Sequence, residues 1–445
     1  MTQNNQSGGQ LTGAELGNTA RLGIMPFQSV NLRTGLRALG PGLLMAGAAV
    51  GTSHLVQSTR AGADFGFQLV VLVLLINVLK YPFFEYGHRY AAATGENLLD
   101  GYLRMGRGFV YAFFLIAMFS AVGSTAAVTF VTVGLVQHFM GQLVPAAAWG
   151  AIVMALCIGL LMGNHYRRLD IAMKPLMAIL AIATLVAFVT AVSNGPVASA
   201  EFVSPSPWTF ASLTFLIALM GWMPAPIEVS VWQSLWMQAK DGSQGRRTTV
   251  GEARFDFNFG YILSATLAVM FLGLGALVLH GSGFELQSAS GAFVTQLVEL
   301  YQRVLGGWAG PLIAAAAFAT MFSTTLTVID GYSRSLEVSS KMVFSSLEGM
   351  PRLYTLWMVL ICLAAFVLIL LFVDSLTDLI DLVTVAAFLA APVYGYLNYR
   401  LITSVHTPEA LQPGLGMRML SWAGLGFFVL VGFSFLLYRV TAAVG

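Results

Sequence analysis

Eleven apolar segments, each long enough to cross a lipid bilayer as a helix, dominate the sequence. A transmembrane helix needs about 20 mainly apolar residues, and its backbone polar groups must be satisfied internally. Only 9% of the residues are charged, against roughly 25% in soluble domains. The sequence therefore predicts an all-α polytopic membrane protein. The predicted segments are 38–59, 66–91, 109–140, 145–163, 169–193, 209–238, 256–280, 306–331, 355–373, 376–402 and 419–440.

Basic residues are distributed unevenly between the two sides of these segments. Of the 22 Lys and Arg residues, 18 fall on the side of the N-terminus, three (Arg60, Arg303 and Arg439) fall on the other side, and Lys80 lies within a segment. Cytoplasmic loops of membrane proteins carry an excess of Lys and Arg. We therefore expect a multi-pass protein of the inner or plasma membrane, with the N-terminus in the cytoplasm and the C-terminus outside.

The regions outside the apolar segments suggest a simple domain organisation. Residues 1–36 are polar, and we expect them to form a disordered cytoplasmic N-terminal tail. Residues 37–445 are predicted to form one transmembrane transporter domain. Residues 281–305 are amphipathic, which is typical of a surface helix. Cys157 and Cys362 both lie inside apolar segments, which favours core positions over a disulfide or a metal site.

The first and sixth segments contain residues that interrupt a helix near the middle of the membrane. The first has Gly51 followed by small hydroxyl residues, and the sixth reads "GWMPAPIE" from Gly221, with Pro224 and Pro226 two residues apart. Proline removes a backbone donor and clashes with the preceding turn, and glycine lowers the cost of leaving the helix. The freed backbone groups cannot face lipid, so they must line a buried or wet cavity.

The two interruptions lie five segments apart, which is the pattern of transporters built from two inverted repeats. We predict repeat one over about 38–193, repeat two over about 209–402, and an extra helix over about 419–440. In such transporters the substrate binds where the broken helices meet. A pair of proline kinks that serve packing alone is the alternative.

The first third of the chain contains "GPGLLMAGAAVG", "RAGADFGFQL" and "AAATGENLLDGY", in that order. In order and spacing these elements resemble the Nramp (natural resistance-associated macrophage protein) family of proton-coupled divalent metal transporters. The resemblance extends over most of the chain. It implies a LeuT-type fold, a 5+5 inverted repeat of transmembrane helices with helices 1 and 6 broken at mid-membrane, and transport by alternating access.

The sequence departs from the family at the first break, so the resemblance is to an atypical member. The family has Asp-Pro-Gly-Asn there, and the Asp and Asn bind the metal. Counted from Gly40-Pro41, the same four positions hold Gly51, Thr52, Ser53 and His54. The carboxylate is therefore missing.

The second break keeps more of the family pattern. The family's metal-binding Met corresponds to Met223 and its Pro to Pro224, whereas the family's His, which is linked to proton movement, corresponds to Ala225. Thr384 is the nearest candidate for the polar metal contact that the family has in its tenth helix. The resemblance thus carries over the scaffold and only part of the site.

The candidate substrate site is the set of residues at the two breaks: Gly51, Thr52, Ser53, His54, Met223, Pro224, Ala225 and Glu228. Within it, His54, Met223 and Glu228 could bind a metal, because imidazole and thioether groups suit transition metals and Glu228 could replace the lost carboxylate. Two alternatives stay open. His54 could bond a freed carbonyl or accept a proton, and Glu228 could sit at the positive end of a half-helix or exchange a proton.

Four further charged residues are candidates for proton transfer or gating: Lys80, Glu85, Asp330 and Arg334. Lys80 and Glu85 could pair with each other or with Glu228, and a lysine near the path would repel a dication. Asp330 and Arg334 are spaced for an ordinary helical ion pair, with a relay at the inner gate as the alternative. The tenth segment opens with acidic residues, which suit a helix N-terminus or a cation-attracting vestibule: Asp374, Asp378 and Asp381.

These observations predict a secondary transporter, rather than an enzyme, that moves a divalent metal cation with proton linkage. The sequence has no phosphate-binding loop, and we predict no cofactor and no nucleic-acid partner; the expected partners are the lipid bilayer and a small solute or metal ion. The alternative is a carrier of a small amine or amino acid, with Trp222 and Trp232 shaping an apolar pocket. A non-transporting sensor is a third hypothesis.

Overall fold

The computed structural model describes Gly35 and residues 39–141, 143–162 and 166–444, and every regular element in those ranges is a helix. Most of the predicted N-terminal tail therefore lies outside the described residues. The α-helices are α1 Pro41–Ala49, α2 Thr59–Phe65, α3 Val70–Thr94, α4 Leu98–Met105, α5 Arg107–Met140, α6 Ala146–Met162, α7 Tyr166–Asn194, α8 Leu213–Trp222, α9 Val229–Gln244, α10 Val250–Val278, α11 Ser290–Leu305, α12 Ala309–Val343, α13 Leu353–Leu371, α14 Leu376–Ile402 and α15 Leu415–Val444.

Each of the eleven predicted segments contains helix within the described residues, and the sixth is interrupted over 223–228. Seven helical stretches in the described ranges are long and apolar enough to cross a membrane by length and composition, and the first of these joins the first two predicted segments. The remaining three predicted segments contain shorter apolar helices, in α6, α7 and α8. The all-α prediction is thus confirmed. Cys157 and Cys362 are buried free thiols, as expected of core positions.

Two helices lie between the predicted spans. The predicted amphipathic helix is present as α11, which buries Phe293, Val294 and Leu297 on one side and begins only at Ser290. Helix α4 was not predicted; a capping box at Asn97 starts it, because the Asn97 side chain accepts hydrogen bonds from the first-turn amides.

The topology brings together the helix ends that the sequence assigns to one side of the membrane. On the predicted inner side, the Asp256 carboxylate of α10 accepts hydrogen bonds from the amides of Gly40 and Gly42, at 2.9 and 2.8 Å. On the predicted outer side, Arg60 of α2 lies 2.8 Å from Asp381 of α14. These contacts hold the start of α1 and the start of α2 in place.

Glycines allow both broken helices to pack so closely that their backbones contact the backbones of neighbouring helices. A Cβ at Gly62 in α2 would lie 1.9 Å from the Leu272 carbonyl oxygen of α10. A Cβ at Gly221 in α8 would lie 1.8 Å from the Thr384 carbonyl oxygen of α14. No side chain fits at either position without moving one helix.

We expect Gly62→Ala to lower the stability of the protein by about 1–3 kcal/mol, the usual cost of overpacking. The matched control is Gly159→Ala in α6, where a Cβ meets nothing within 4 Å, so that melting should be unchanged or slightly higher. Thermal unfolding in detergent checks both. Equal melting temperatures for the two variants would contradict the close packing of α2 on α10.

Candidate functional site

The first membrane helix is interrupted at a single residue. Helix α1 ends at Ala49, and Gly51 has non-helical backbone angles (φ −68°, ψ −126°). Gly51 is the second residue of a π-helical segment, Val50–Ser58, that connects α1 to α2. The predicted break is therefore confirmed but narrower than expected, because Thr52 and the residues after it already belong to the resumed helix.

The second interruption is longer. Helix α8 ends at Trp222, Met223 is extended (φ −94°, ψ 116°), and α9 starts at Val229. The two prolines of "MPAPIE" lie inside this gap, as their missing amides require. The carbonyl groups at the end of α8 are thus left without helical partners, whereas the first amides of α9 donate to carbonyl oxygens of the gap.

A small cavity lies where the two interruptions meet, with a volume of about 30 Å³. Most of its lining is apolar, from alanine, valine, proline and tryptophan side chains, and its hydroxyl groups come from Thr52, Ser53, Ser124 and Thr324. Roughly 10–15 Å³ of such cavity space is needed to hold one water molecule. The cavity in this conformation therefore has room for one water-sized species or one ion.

Ser53 connects the two interruptions directly. Its hydroxyl oxygen lies 2.5 Å from the Ala49 carbonyl oxygen at the end of α1 and 3.2 Å from the Pro224 carbonyl oxygen in the second gap. The same oxygen lies 2.8 Å from Nδ1 of His54. Ser53 is thus a bridge between the broken helices and also orients the neighbouring imidazole.

His54 is fully buried and has partners at both ring nitrogens. Nε2 lies 2.8 Å from the Ser264 carbonyl oxygen of α10, and Nδ1 faces Ser53. Its ring also meets Phe271 of α10 edge-on. Of the alternatives set out for His54, this geometry corresponds to a histidine bonded to a backbone carbonyl, turned away from the cavity.

Three buried polar atoms of the cavity-lining residues have no hydrogen-bond partner among the described residues: Thr52 Oγ1, Trp222 Nε1 and Trp232 Nε1. A buried polar group without a partner costs about 1–3 kcal/mol. An indole N–H can only donate, whereas a hydroxyl can donate and accept. Each of these three atoms can therefore form a hydrogen bond that the described residues do not supply.

Glu228 is buried at the start of α9 and does not itself line the cavity. Its Oε1 accepts a hydrogen bond of 2.9 Å from the Tyr332 hydroxyl, which lies 3.0 Å from the Ser124 hydroxyl in the cavity wall. Its Oε2 has no hydrogen-bond partner in the part of the chain that the structure describes. A chain of two hydroxyl groups thus connects the carboxylate to the cavity.

The predicted metal set of His54, Met223 and Glu228 is not assembled in this conformation. His54 bonds to α10 and Glu228 bonds to α12, while Met223 is buried in the apolar core; none of the three lines the cavity. Among the described residues, no group of three or more His, Cys, Asp or Glu side chains could hold a metal ion. Metal binding by these residues remains a prediction.

Lys80 of α3 lies beside the second gap and is fully buried. Its Nζ donates to the carbonyl oxygens of Met220, Gly221 and Ala225, at 2.8, 2.6 and 3.2 Å. Neither of the two pairings considered for Lys80 is among the described ion pairs: Glu85 pairs with Arg89, 2.7 Å away and one turn later on the same helix, and Glu228 bonds to Tyr332. The carbonyls freed at the end of α8 lie within hydrogen-bond distance of the ammonium and carry the negative end of the helix dipole.

Asp330 and Arg334 form the helical ion pair that their spacing predicts, at 2.7 Å. Asp330 also accepts hydrogen bonds from the Trp236 indole of α9 at 3.3 Å and the Tyr354 hydroxyl of α13 at 2.8 Å. Asp330 therefore connects three helices on the predicted inner side, which the sequence did not indicate.

The acidic residues at the start of α14 have different roles. Asp378 lies in the first turn and accepts a hydrogen bond from Ser375, as expected at a helix N-terminus. Asp381 instead binds both terminal nitrogens of Arg60, at 2.8 and 3.2 Å, and the Gln57 amide at 3.0 Å. Opposite charges at the outer ends of two segments were the only sequence signal for this contact.

Thr384, the candidate for the polar metal contact in the tenth helix, has its hydroxyl oxygen 3.4 Å from the Gln57 side-chain nitrogen.

Comparison with known proteins shows to which family this chain belongs. The model of the family "Natural resistance-associated macrophage protein-like" (Nramp) matches residues 42–438. The chain belongs to the Nramp family. An uncharacterized protein of Pasteurella multocida (strain Pm70) is 41% identical over 368 residues, which are 82% of this chain and 84% of that protein. The divalent metal cation transporter MntH of Latilactobacillus sakei is 23% identical over 345 residues, which are 72% of each.

Solved structures of transporters share the fold of this Nramp protein. A manganese transporter of Eremococcus coleocola superimposes with a TM-score of 0.70 at 15% identity, covering 92% of this chain and 88% of that one. MhsT, in complex with L-phenylalanine, has a TM-score of 0.59 at 15% identity, covering 91% of this chain and all of that one. The LeuT-type fold predicted from the sequence is confirmed.

The Arg60–Asp381 pair should hold the predicted outer side of the cavity closed. We expect Asp381→Asn to speed modification of a cysteine placed in the cavity wall (Ala48→Cys) several-fold, measured with a membrane-impermeant thiol reagent in oriented vesicles. The matched control is Glu337→Gln, which removes an ion pair with Lys341 within α12. Equal labelling rates with and without Asp381→Asn would contradict a closing role.

Proposed function

We propose that this Nramp protein is a secondary transporter that moves a divalent metal cation by alternating access, with the cargo bound where the two broken helices cross. The observation that carries the proposal is the ion-sized cavity between the Gly51 break and the gap after α8. The manganese transporter with the same fold and the MntH relative support this cargo class. The basic residues support a cytoplasmic N-terminus in the inner or plasma membrane.

The metal ligands would differ from the family pattern, because no carboxylate is among the described residues that line the cavity. The Thr52 hydroxyl is the first candidate for an oxygen ligand, since Thr52 lines the cavity and its buried Oγ1 has no partner among the described residues. Met223 and Glu228 would add a thioether and a carboxylate only if a change of conformation turned them towards the cavity. Soft sulfur ligands favour transition metals over magnesium or calcium.

Proton linkage has a physical route in the contacts of Glu228. The carboxylate is buried, has one free oxygen, and connects through Tyr332 to Ser124 in the cavity wall. Hydrogen-bonded hydroxyls can pass a proton between a cavity and a carboxylate. We propose this chain as the coupling path, in place of the family's His that is Ala225 here.

We expect calorimetric titration of the purified protein to show Mn²⁺ binding in the micromolar range. Thr52→Val, which removes a ligand without changing shape, should weaken binding about 10–100-fold, the usual effect of a change close to a metal. Met223→Ala and Glu228→Gln should weaken it as well. The control is Thr190→Val in α7, whose hydroxyl bonds only its own helix and is exposed. A folded wild-type protein that binds no Mn²⁺, Cd²⁺ or Mg²⁺ would overturn the metal proposal.

A second candidate cargo, a small solute with hydrogen-bond acceptors, is favoured by one observation. The unpartnered indole N–H groups of Trp222 and Trp232 belong to cavity-lining residues. Such groups cannot coordinate a metal, but they can donate to a carboxylate or carbonyl oxygen. The cavity would have to widen to admit an amino acid, which an opening step of the transport cycle could provide.

For this second cargo, Trp222→Phe and Trp232→Phe should each weaken solute binding about tenfold, because one hydrogen bond of roughly 1–1.5 kcal/mol is lost. Thermal-shift titration with a panel of small amino acids and carboxylates identifies a ligand first. The matched control is Trp149→Phe, since Trp149 also has an unpartnered indole but lies in α6, away from the cavity. Equal affinity in all three variants would exclude recognition by the indoles.

A further inference from the structure

The Lys80 ammonium binds the backbone carbonyl oxygens at the end of α8, as a bound metal or alkali cation would. The last carbonyl groups of a helix have no helical partner and carry the negative end of the helix dipole. In the membrane interior, water cannot satisfy them. The Lys80 ammonium has three N–H donors, and it meets three carbonyl oxygens, at 2.6, 2.8 and 3.2 Å.

The charge of Lys80 is held by these backbone dipoles rather than by a carboxylate. Among the described ion pairs, none includes Lys80. Glu85 pairs with Arg89, and Glu228, which interacts with Lys80 only at longer range, bonds to Tyr332. The ammonium therefore lies in a cage of backbone oxygens, the ligand type that hard cations prefer in proteins.

We propose that the Lys80 ammonium is a resident cation, a positive charge of the protein itself that fills a cation-binding site at the end of α8, beside the second break. It thereby determines which ions the protein can bind there. While the ammonium occupies the carbonyls of Met220 and Gly221, no metal or alkali ion can use them. A metal cargo must then draw its ligands from the other side of the cavity. The proposal does not depend on the identity of the cargo.

The consequence is that removal of the ammonium should create a vacant cation site. Lys80→Ala leaves a channel of the length of a lysine side chain, ending at three carbonyl oxygens. A primary alkylammonium ion has the same head group and an apolar tail, so it should refill this channel. Potassium should occupy the carbonyl end alone, with a smaller effect.

The test is chemical rescue, measured as the melting temperature in detergent. We expect Lys80→Ala to melt several degrees below wild type and to recover at least half of the loss with n-propylammonium chloride. Tetramethylammonium chloride is the matched salt control, because that ion has the same charge but no N–H donor. Wild type and Lys341→Ala, which removes a partly exposed lysine of α12, should not respond to either salt.

Two results would overturn the proposal. One is a folded Lys80→Ala protein that responds equally to both salts or to neither. The other is a Lys80→Met protein, which keeps an unbranched chain without the charge, that melts at the wild-type temperature. If Lys80→Ala does not fold alone, it should be purified in n-propylammonium: recovery in that salt and not in tetramethylammonium supports a resident cation, and failure in both counts against it.

Discussion

The backbone groups freed at the two helix breaks impose the main constraint on this structure. Each unsatisfied group in the hydrocarbon region would cost several kcal/mol, so the surrounding helices must supply partners. Lys80 satisfies the carbonyls at the end of α8, and the Ser53 hydroxyl reaches carbonyls on both sides of the crossing. Glu228 lies at the start of α9, where the positive end of the helix dipole favours a carboxylate. The breaks persist because these three side chains stabilise them.

This arrangement separates the charged groups from the cavity itself. Lys80 and Glu228 lie behind its wall, while Arg60, Asp381, Asp330 and Arg334 lie towards the two ends of the helices. Each terminal ion pair or network joins a broken helix to a neighbour: α2 to α14, and α9 to α12 and α13. Alternating access needs contacts that can close one side and open the other. The Arg60–Asp381 pair and the Asp330 network lie at the two ends of the helices, where contacts that close one side of the cavity would have to form.

Much of the fold could be predicted from the sequence, because apolar length and helix-breaking residues are local signals. The eleven segments, the two breaks and the family follow from "GPGLLMAGAAVG", "GWMPAPIE" and the segments around them. The site was harder to predict, because it depends on contacts between residues far apart in the chain. The sequence places His54 and Glu228 near the breaks, but only the structure shows that His54 faces Ser264 and that Glu228 faces Tyr332. No pattern in the sequence distinguishes Lys80 bound to carbonyls from Lys80 paired with Glu85.

The central claim is that the crossing of the two broken helices binds the cargo. The most direct measurement is anomalous X-ray diffraction from crystals of the protein soaked in Mn²⁺, with data collected above and below the manganese edge. We predict one strong anomalous peak in the cavity, beside Thr52 and Ser53 and away from the Lys80 ammonium. A peak only at a surface site, or no peak in protein that takes up Mn²⁺ in vesicles, would contradict the claim.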